Sequence, residues 1–231
     1  MTVLNPNNPI GQINIFALPR SGGTLLNIFL RRFVCFKCSL VHPLMIHSDN
    51  VSNYGPHNIM LLRHPYGVFG SMLHVDSIDP VSKKVRVNPN NAAAKLIDIC
   101  NMYDKFLSLL DNNKDNNIHV KYEDFHENYD YFLELVKHYN IEINQDDFNI
   151  FKSDFDVHAV RNDIYSDTKK EKDFRPNHVS SGRGSNTANM KLVPSGMREE
   201  VSEKLQPFCD RLGYEAFSFN GVPDDLAYDL H

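Results

Sequence analysis

The residues best suited to chemistry stand in the run IFALPRSGGTLL, Ile15 to Leu26. Arg20, Ser21, Gly22, Gly23, Thr24 and Leu25 sit between a β-rich stretch and one with helical apolar spacing. A glycine loop in that place lets backbone N–H groups approach an anion, and the helix N-terminus adds a partial positive charge. The nucleotide-binding pattern G-x-x-x-x-G-K-[ST] fits poorly. Ala17 stands for its first glycine and Gly23 for its lysine, which leaves only Gly22 and Thr24 in place. An ATPase or kinase loop is therefore disfavoured. The cation has moved into the loop as Arg20, and the segment reads as an anion cradle; the same residues also suit a tight turn with a solvent-facing arginine.

A second run, IMLLRHPYGVFGSMLH, spans Ile59 to His74. Arg63 stands where an apolar strand should end, and Ser71 follows eight residues later in a helix-like segment. In a parallel sheet the carboxyl ends of neighbouring strands share one crevice where ligands bind. Arg63 is thus expected on the same rim as Arg20. An arginine salt-bridged at a strand end is the alternative.

These residues need elements to hold them. Gln12–Leu18 reads as a first strand and Thr24–Phe36 as a helix, with Leu25, Leu26, Phe29, Leu30 and Phe33 on one side. Ser39–His47 reads as a second strand, kinked at Pro43, and Asn58–Arg63 as a third, apolar enough to be buried on both faces. A helix over Tyr66–Val75 follows, then a polar loop over Ser77–Asn91 containing Lys83, Lys84 and Arg86. Those three cations suit a solvated loop or a path for an anionic acceptor. Ala92–Leu110 is an amphipathic helix whose Tyr103 and Phe106 face the core. Ile118–Tyr122 is a fourth strand, and Tyr129–Tyr139 a helix. His178–Pro194 is a loop by composition, and Ser195 caps a last helix that runs to Leu212 and stops at Gly213. Strands alternating with helices predict an α/β fold: one domain over 1–231, a P-loop-like three-layer sandwich about a mainly parallel sheet, with loose ends at 1–10 and 222–231.

Composition excludes several classes. The 231 residues, 42% of them hydrophobic, suffice for a core, and no apolar run approaches a membrane span. The segment Met1–Pro9 lacks a secretory layout, so a cytoplasmic protein is expected. A net charge of −5 argues against a non-specific nucleic-acid binder. Cys35 and Cys38 form a C-x-x-C without a second pair at zinc-binding distance, so buried or idle reduced thiols are expected with Cys100 and Cys209.

Taken together the runs resemble the cytosolic-type sulfotransferases that use 3′-phosphoadenosine-5′-phosphosulfate, PAPS. That family's 5′-phosphosulfate loop, P-K-S-G-T-T-W, is met by Pro19, Arg20, Ser21, Gly22, Gly23, Thr24 and Leu25. Its 3′-phosphate motif, R-N-P-x-D-x-x-x-S, keeps Arg63, Pro65 and Ser71, while His64 and Gly67 replace its Asn and Asp. VKYEDF is similar to the family's strand ending in Tyr-Glu-Asp, which implies Tyr122 beside the adenine, with Glu123 and Asp124 orienting the loop. The C-terminal signature R-K-G-x-x-G-D-W-K is fainter: it puts Arg183 and Lys191 in register, with Gly184, Ser185 and Met190 in place of Lys, Gly and Trp. The likeness runs from Ile13 to Tyr214 at four separated points.

The resemblance implies in-line transfer of a sulfuryl group from PAPS to a hydroxyl or amine of a small-molecule or glycan acceptor, leaving the desulfated product, PAP. Arg20–Leu25 would hold the phosphosulfate; Arg63, Ser71, Ser181, Gly182, Arg183 and Gly184 would hold the 3′-phosphate. No Walker-B-like carboxylate is identifiable beside the loop, consistent with a reaction that needs no metal. A histidine after the second strand often serves the family as base. Of 11 histidines, His47 closes the predicted strand and is favoured, with His42 in reserve. A small-molecule kinase and a catalytically silent PAP-binding protein are the rival readings. The acceptor loops, expected within 48–57, 76–91 and 155–176, and the oligomeric state stay open. The family's dimer motif K-x-x-x-T-V-x-x-x-E falls on Lys191, Ser195, Gly196 and Glu200 without its Thr-Val.

Overall fold

Four short strands with apolar centres build the sheet that carries the first loop. They are β1 (Ile10–Ala17), β2 (Cys35–Val41), β3 (Asn58–Leu62) and β5 (Asn117–Lys121), all parallel, in the order β2-β1-β3-β5. All five residues of β3 and the last five of β1 are buried, as inner strands of a parallel sheet require. The register pairs Phe16 with Val41, Ala17 with Leu61 and Leu62 with Lys121, so the carboxyl ends lie along one edge. The computed structural model describes residues 10–46, 51–79, 82, 84–113, 117–126, 128–155, 189–224 and 226–229. They fall into two compact units, Met1–Leu62 with Leu107–Val179, and Arg63–Phe106 with Ser180–His231.

In the first unit the sheet face bearing Ile13, Ile15, Ala17, Ile59 and Leu61 packs on α1 (Gly23–Phe33), α4 (Tyr122–His126), α5 (Tyr131–Lys137) and α6 (Gln145–Asp154). The seam is aromatic. Phe29 stacks on Phe132 with centroids 4.4 Å apart and meets Phe151 edge-on at 5.3 Å. Such pairs add about 0.5–1.5 kcal/mol each beyond their area. On the other face the buried Asn14 donates through Nδ2 to the Tyr54 carbonyl at 2.6 Å and to Asn58 Oδ1 at 3.2 Å. Asn58 in turn donates to the Gly55 carbonyl at 2.8 Å, which ties the 51–57 segment to the sheet.

The second unit is built on α2 (Pro65–Asp76), the first part of α3 (Pro89–Asn112) and α7 (Arg198–Leu212). Tyr103 stacks on Phe208, with centroids 5.2 Å apart. Tyr103 and Phe106 are fully buried, as their spacing predicted. Gly213, left-handed at φ 69°, ends α7, and Tyr214 N–H donates back to the Cys209 carbonyl at 2.9 Å.

Several elements differ from the sequence reading. β2 ends at Val41 and not at His47, because Pro43 opens a 3₁₀ turn over Pro43–Met45. The 77–91 loop contains β4 (Lys84–Arg86), paired antiparallel with β6 (Ala227–Asp229) from the chain's far end. α6 had no sequence assignment at all. α7 begins after a 3₁₀ turn at Ser195–Met197, and its N-cap is Met197, so Ser195 does not cap it. Tyr122 opens α4 instead of ending a strand.

Candidate functional site

The chain leaves β1 at Ala17 and enters α1 at Gly23 through a turn with two left-handed residues, one of them not glycine. Arg20 has φ 65° and Gly22 φ 77°. A non-glycine residue held there costs about 1–3 kcal/mol, and such strain gathers at ligand sites. Gly22 is the N-cap of α1 and makes no side-chain cap bond. No N-cap side chain therefore takes up the first N–H groups of the helix, where an anion is favoured. The glycines have steric reasons as well. A Cβ on Gly22 would stand 2.6 Å from the Tyr122 ring and 3.0 Å from Phe125, and one on Gly23 2.7 Å from Leu40 Cδ1.

Ser21 is 1% exposed, and its Oγ has no hydrogen-bond partner among the described residues. Its N–H donates to the Leu18 carbonyl at 3.3 Å, which closes the turn. A buried hydroxyl left unsatisfied costs about 1–3 kcal/mol, a cost that an oxygen-rich ligand would remove. Thr24 and Leu25 are half-buried beside it. The structure thus brings Arg20–Leu25 and Tyr122 into one neighbourhood. Tyr122 lies under the loop, 9% exposed, its ring 4.7 Å from that of His126.

Of the residues assigned to the 3′-phosphate, Arg63 and Ser71 belong to the second unit. Arg63, 4% exposed, leads into α2, and its carbonyl accepts the Tyr103 hydroxyl at 2.9 Å. Ser71 is 1% exposed, two turns into the helix on the face shared with His64 and Gly67. His64 occupies the N-cap position without capping. Its Nε2 sits 3.0 Å from the Glu215 carbonyl, and its ring 4.9 Å from Tyr214. Gly70, next to Ser71, lets Asn189 and Met190 come close; a Cβ there would stand 3.1 Å from Asn189 Cβ and 3.2 Å from Met190 Sδ. The end of the faint C-terminal signature is thereby seated on α2. Asn189 and Phe125 were not singled out from sequence. The signal for Asn189 was its place on the Asp of that signature, and Phe125 had none.

Ser181, Gly182, Arg183 and Gly184 lie outside the described residues, as does His47. His42 is half-buried just past β2, where its Nδ1 accepts the Leu44 N–H at 3.3 Å. Burial lowers its pKa and favours the neutral ring. With Nδ1 accepting, the neutral ring carries its proton on Nε2 and offers a donor there. Cys35 and Cys209 are buried and Cys38 and Cys100 half-buried, and burial pushes the Cys209 thiol up to about 12. Among the described residues no helix is long and apolar enough to cross a membrane, and no group of three metal-ligating side chains gathers.

No family model and no curated protein sequence matches the chain. Solved structures do match. One is the crystal structure of mouse sulfotransferase SULT7A1 complexed with PAP, with a TM-score of 0.63 over 87% of this chain and 85% of that one, at 13% identity. The fold is sulfotransferase-like. The expected α/β class with a central parallel sheet is therefore correct. At that identity the likeness concerns the backbone path, and residue roles rest on the site itself.

Proposed function

We propose that this chain is a PAPS-dependent sulfotransferase that transfers the sulfuryl group to a hydroxyl or amine of a small-molecule or glycan acceptor. The observation that carries the reading is the start of α1, an 11-residue helix without a side-chain cap, entered through left-handed Gly22 beside the buried, unpartnered Ser21 Oγ. Such a start offers several N–H donors and a hydroxyl to one multi-oxygen anion. The PAP in the structural neighbour supports the choice of anion. When bound, PAPS supplies an activated sulfuryl group and a 3′-phosphate at opposite ends of an adenosine.

Arg20, Ser21, Gly22, Gly23, Thr24 and Leu25 take the phosphosulfate, with Tyr122 beside the adenine. Arg63 and Ser71, with Ser181, Gly182, Arg183 and Gly184, take the 3′-phosphate, where a guanidinium fork matches phosphate oxygens. Catalysis then rests on positioning and on charge stabilisation by Arg20 and the α1 N–H groups. His47 is the base. The tautomer of His42 supports this order, because an Nε2–H donor does not accept the acceptor's proton.

Two measurements test the reading. Transfer of labelled sulfate from PAPS to an acceptor panel should occur, and it should fall about 10²–10⁴-fold in His47→Ala while PAP affinity holds. PAP should raise the melting temperature well above any rise from ATP or ADP with magnesium. Equal stabilisation by ATP would favour a kinase, and PAP binding without transfer a silent binding protein.

A further inference from the structure

Arg198 opens α7, where its charge opposes the helix dipole, so the helix itself gives no reason for an arginine there. Its contacts do. Nε donates to the Val193 carbonyl at 3.3 Å and Nη1 to the Val222 carbonyl at 2.7 Å. Nη2 donates to the Pro223 carbonyl at 3.1 Å and to Asp224 Oδ1 at 2.6 Å. The guanidinium carbon lies 5.5 Å from the centre of the Phe219 ring. One side chain thus holds the C-terminal tail from Phe219 to Asp224. A planar, five-donor fork can serve several acceptors at once, which suits arginine better than lysine.

Beyond Asp224 the tail forms β6, which pairs with β4, and the Val87 N–H donates to the Leu226 carbonyl at 2.9 Å. On the other side of β4, the Arg86 N–H donates to the Ser77 carbonyl and the Asp79 N–H to the Lys84 carbonyl, both at 2.8 Å. β4 therefore lies between the Ser77–Asp79 stretch and β6, with Val85 fully buried and Lys84 and Arg86 exposed. A pairing of two short strands alone is marginal in water, so β4 needs both neighbours. Chain ends fray unless they are tied down, and Arg198 is the tie.

We propose that Arg198 is a positioning residue for the acceptor: it clasps the C-terminal tail so that β6 closes on β4 and fixes the 76–91 stretch. That stretch leads from the end of α2 into α3 and is one of those expected to grip the acceptor. The acceptor role rests on the sulfotransferase reading, whereas the clasp rests on the contacts of Arg198 and β6. Arg198, the tail and β4 all belong to the second unit, so the strap is complete within it.

Hydrogen exchange read by mass spectrometry follows the segment without any acceptor. In Arg198→Ala, peptides spanning Lys84–Val87 should exchange about tenfold faster, as expected when charged hydrogen bonds to the strap are lost. Arg198→Lys should fall between Arg198→Ala and the wild type. A chain stopped after Asp224 keeps the clasp but lacks β6, and it should show the same acceleration as Arg198→Ala. PAP affinity by calorimetry should stay within about twofold in all three variants. The KM of a working acceptor should rise about tenfold in Arg198→Ala and in the shortened chain, at unchanged KM for PAPS. Arg198→Ala made in the shortened chain should add nothing to that rise, since the strap is already gone. Unchanged exchange in Arg198→Ala would overturn the clasp, whatever the chain transfers. An acceptor KM untouched in the shortened chain, or a loss of PAP affinity as large as that of the acceptor, would overturn the positioning role. Absence of transfer even in the wild type, with exchange still dependent on Arg198, would sink the sulfotransferase reading and the acceptor role with it, and leave the clasp standing.

Discussion

The two compact units offer their candidate anion contacts by different means. In the first, the contacts are main-chain: the uncapped start of α1, the left-handed Arg20 and Gly22, and one buried hydroxyl on Ser21. In the second they are side chains, the buried guanidinium of Arg63 and the hydroxyl of Ser71 in α2. A main-chain cradle depends on shape and should break when bulk is added. A buried guanidinium acts through charge and should break when the charge is removed.

The largest effect should come from Gly22→Ala. It forces alanine to φ 77° and presses its Cβ on the Tyr122 ring at 2.6 Å, so the loop must move. We expect a loss of about 2–4 kcal/mol in denaturant unfolding together with the loss of PAP binding. Normal PAP affinity in that variant would show that the loop is not the cradle. Gly23→Ala sharpens the contrast. It meets only the end of Leu40, a flexible side chain 49% exposed, and should change stability by less than about 1 kcal/mol.

Arg63→Ala comes next. It should weaken PAP by about 2–5 kcal/mol, the range for a buried charged hydrogen-bond partner. Adenosine 5′-phosphosulfate, which lacks the 3′-phosphate, should scarcely notice the change. Equal losses in calorimetric titrations of both ligands would mean that Arg63 does not read that group.

Ser21→Ala should separate folding from binding. With no partner for Oγ, its removal should leave unfolding free energy unchanged or slightly raised, while PAP binding weakens by about 1 kcal/mol. A large loss of stability would show that the hydroxyl serves the fold.

The smallest effect is in pH. Burial lowers the pKa of His42 and of His119 from 6.5. As pH falls through 6.5 the unfolded chain takes up these protons while the folded chain resists, so stability drops until the folded pKa values are passed. Melting temperature should therefore fall between about pH 7.5 and pH 5, less steeply in the His42→Gln, His119→Gln double variant. An identical slope in that variant would remove these two groups from the account.

What the sequence disclosed follows from where contacts are local. β1, β3, α1, α2 and α3 were legible because their apolar spacing is set by burial within the element. The end of β2 was misread because Met45 and Ile46 prolong the apolar run past Pro43, where the missing N–H favours a turn. β4 was invisible, since three polar-flanked residues become a strand only by pairing with Ala227–Asp229, far away in the chain. α6 did carry a signal: Asn144 accepts the N–H groups of Asp146 and Asp147, with Phe148 and Phe151 one turn apart behind it. Residue types singled out the candidates Arg20, Gly22, Arg63 and Ser71. Sequence did not disclose that Gly22 touches Tyr122 or that Ser21 is buried without a partner, because both depend on where α4 packs against the loop.

The central claim is that the chain holds a ligand carrying both a 5′-anion and a 3′-phosphate. It is tested most directly by calorimetric titration with PAP and with adenosine 5′-monophosphate, which differ only in the 3′-phosphate. PAP should bind at least about tenfold tighter, which is about 1.4 kcal/mol, and Arg63→Ala should erase most of the difference. Equal affinity for the two nucleotides, or no binding of PAP, would contradict the account.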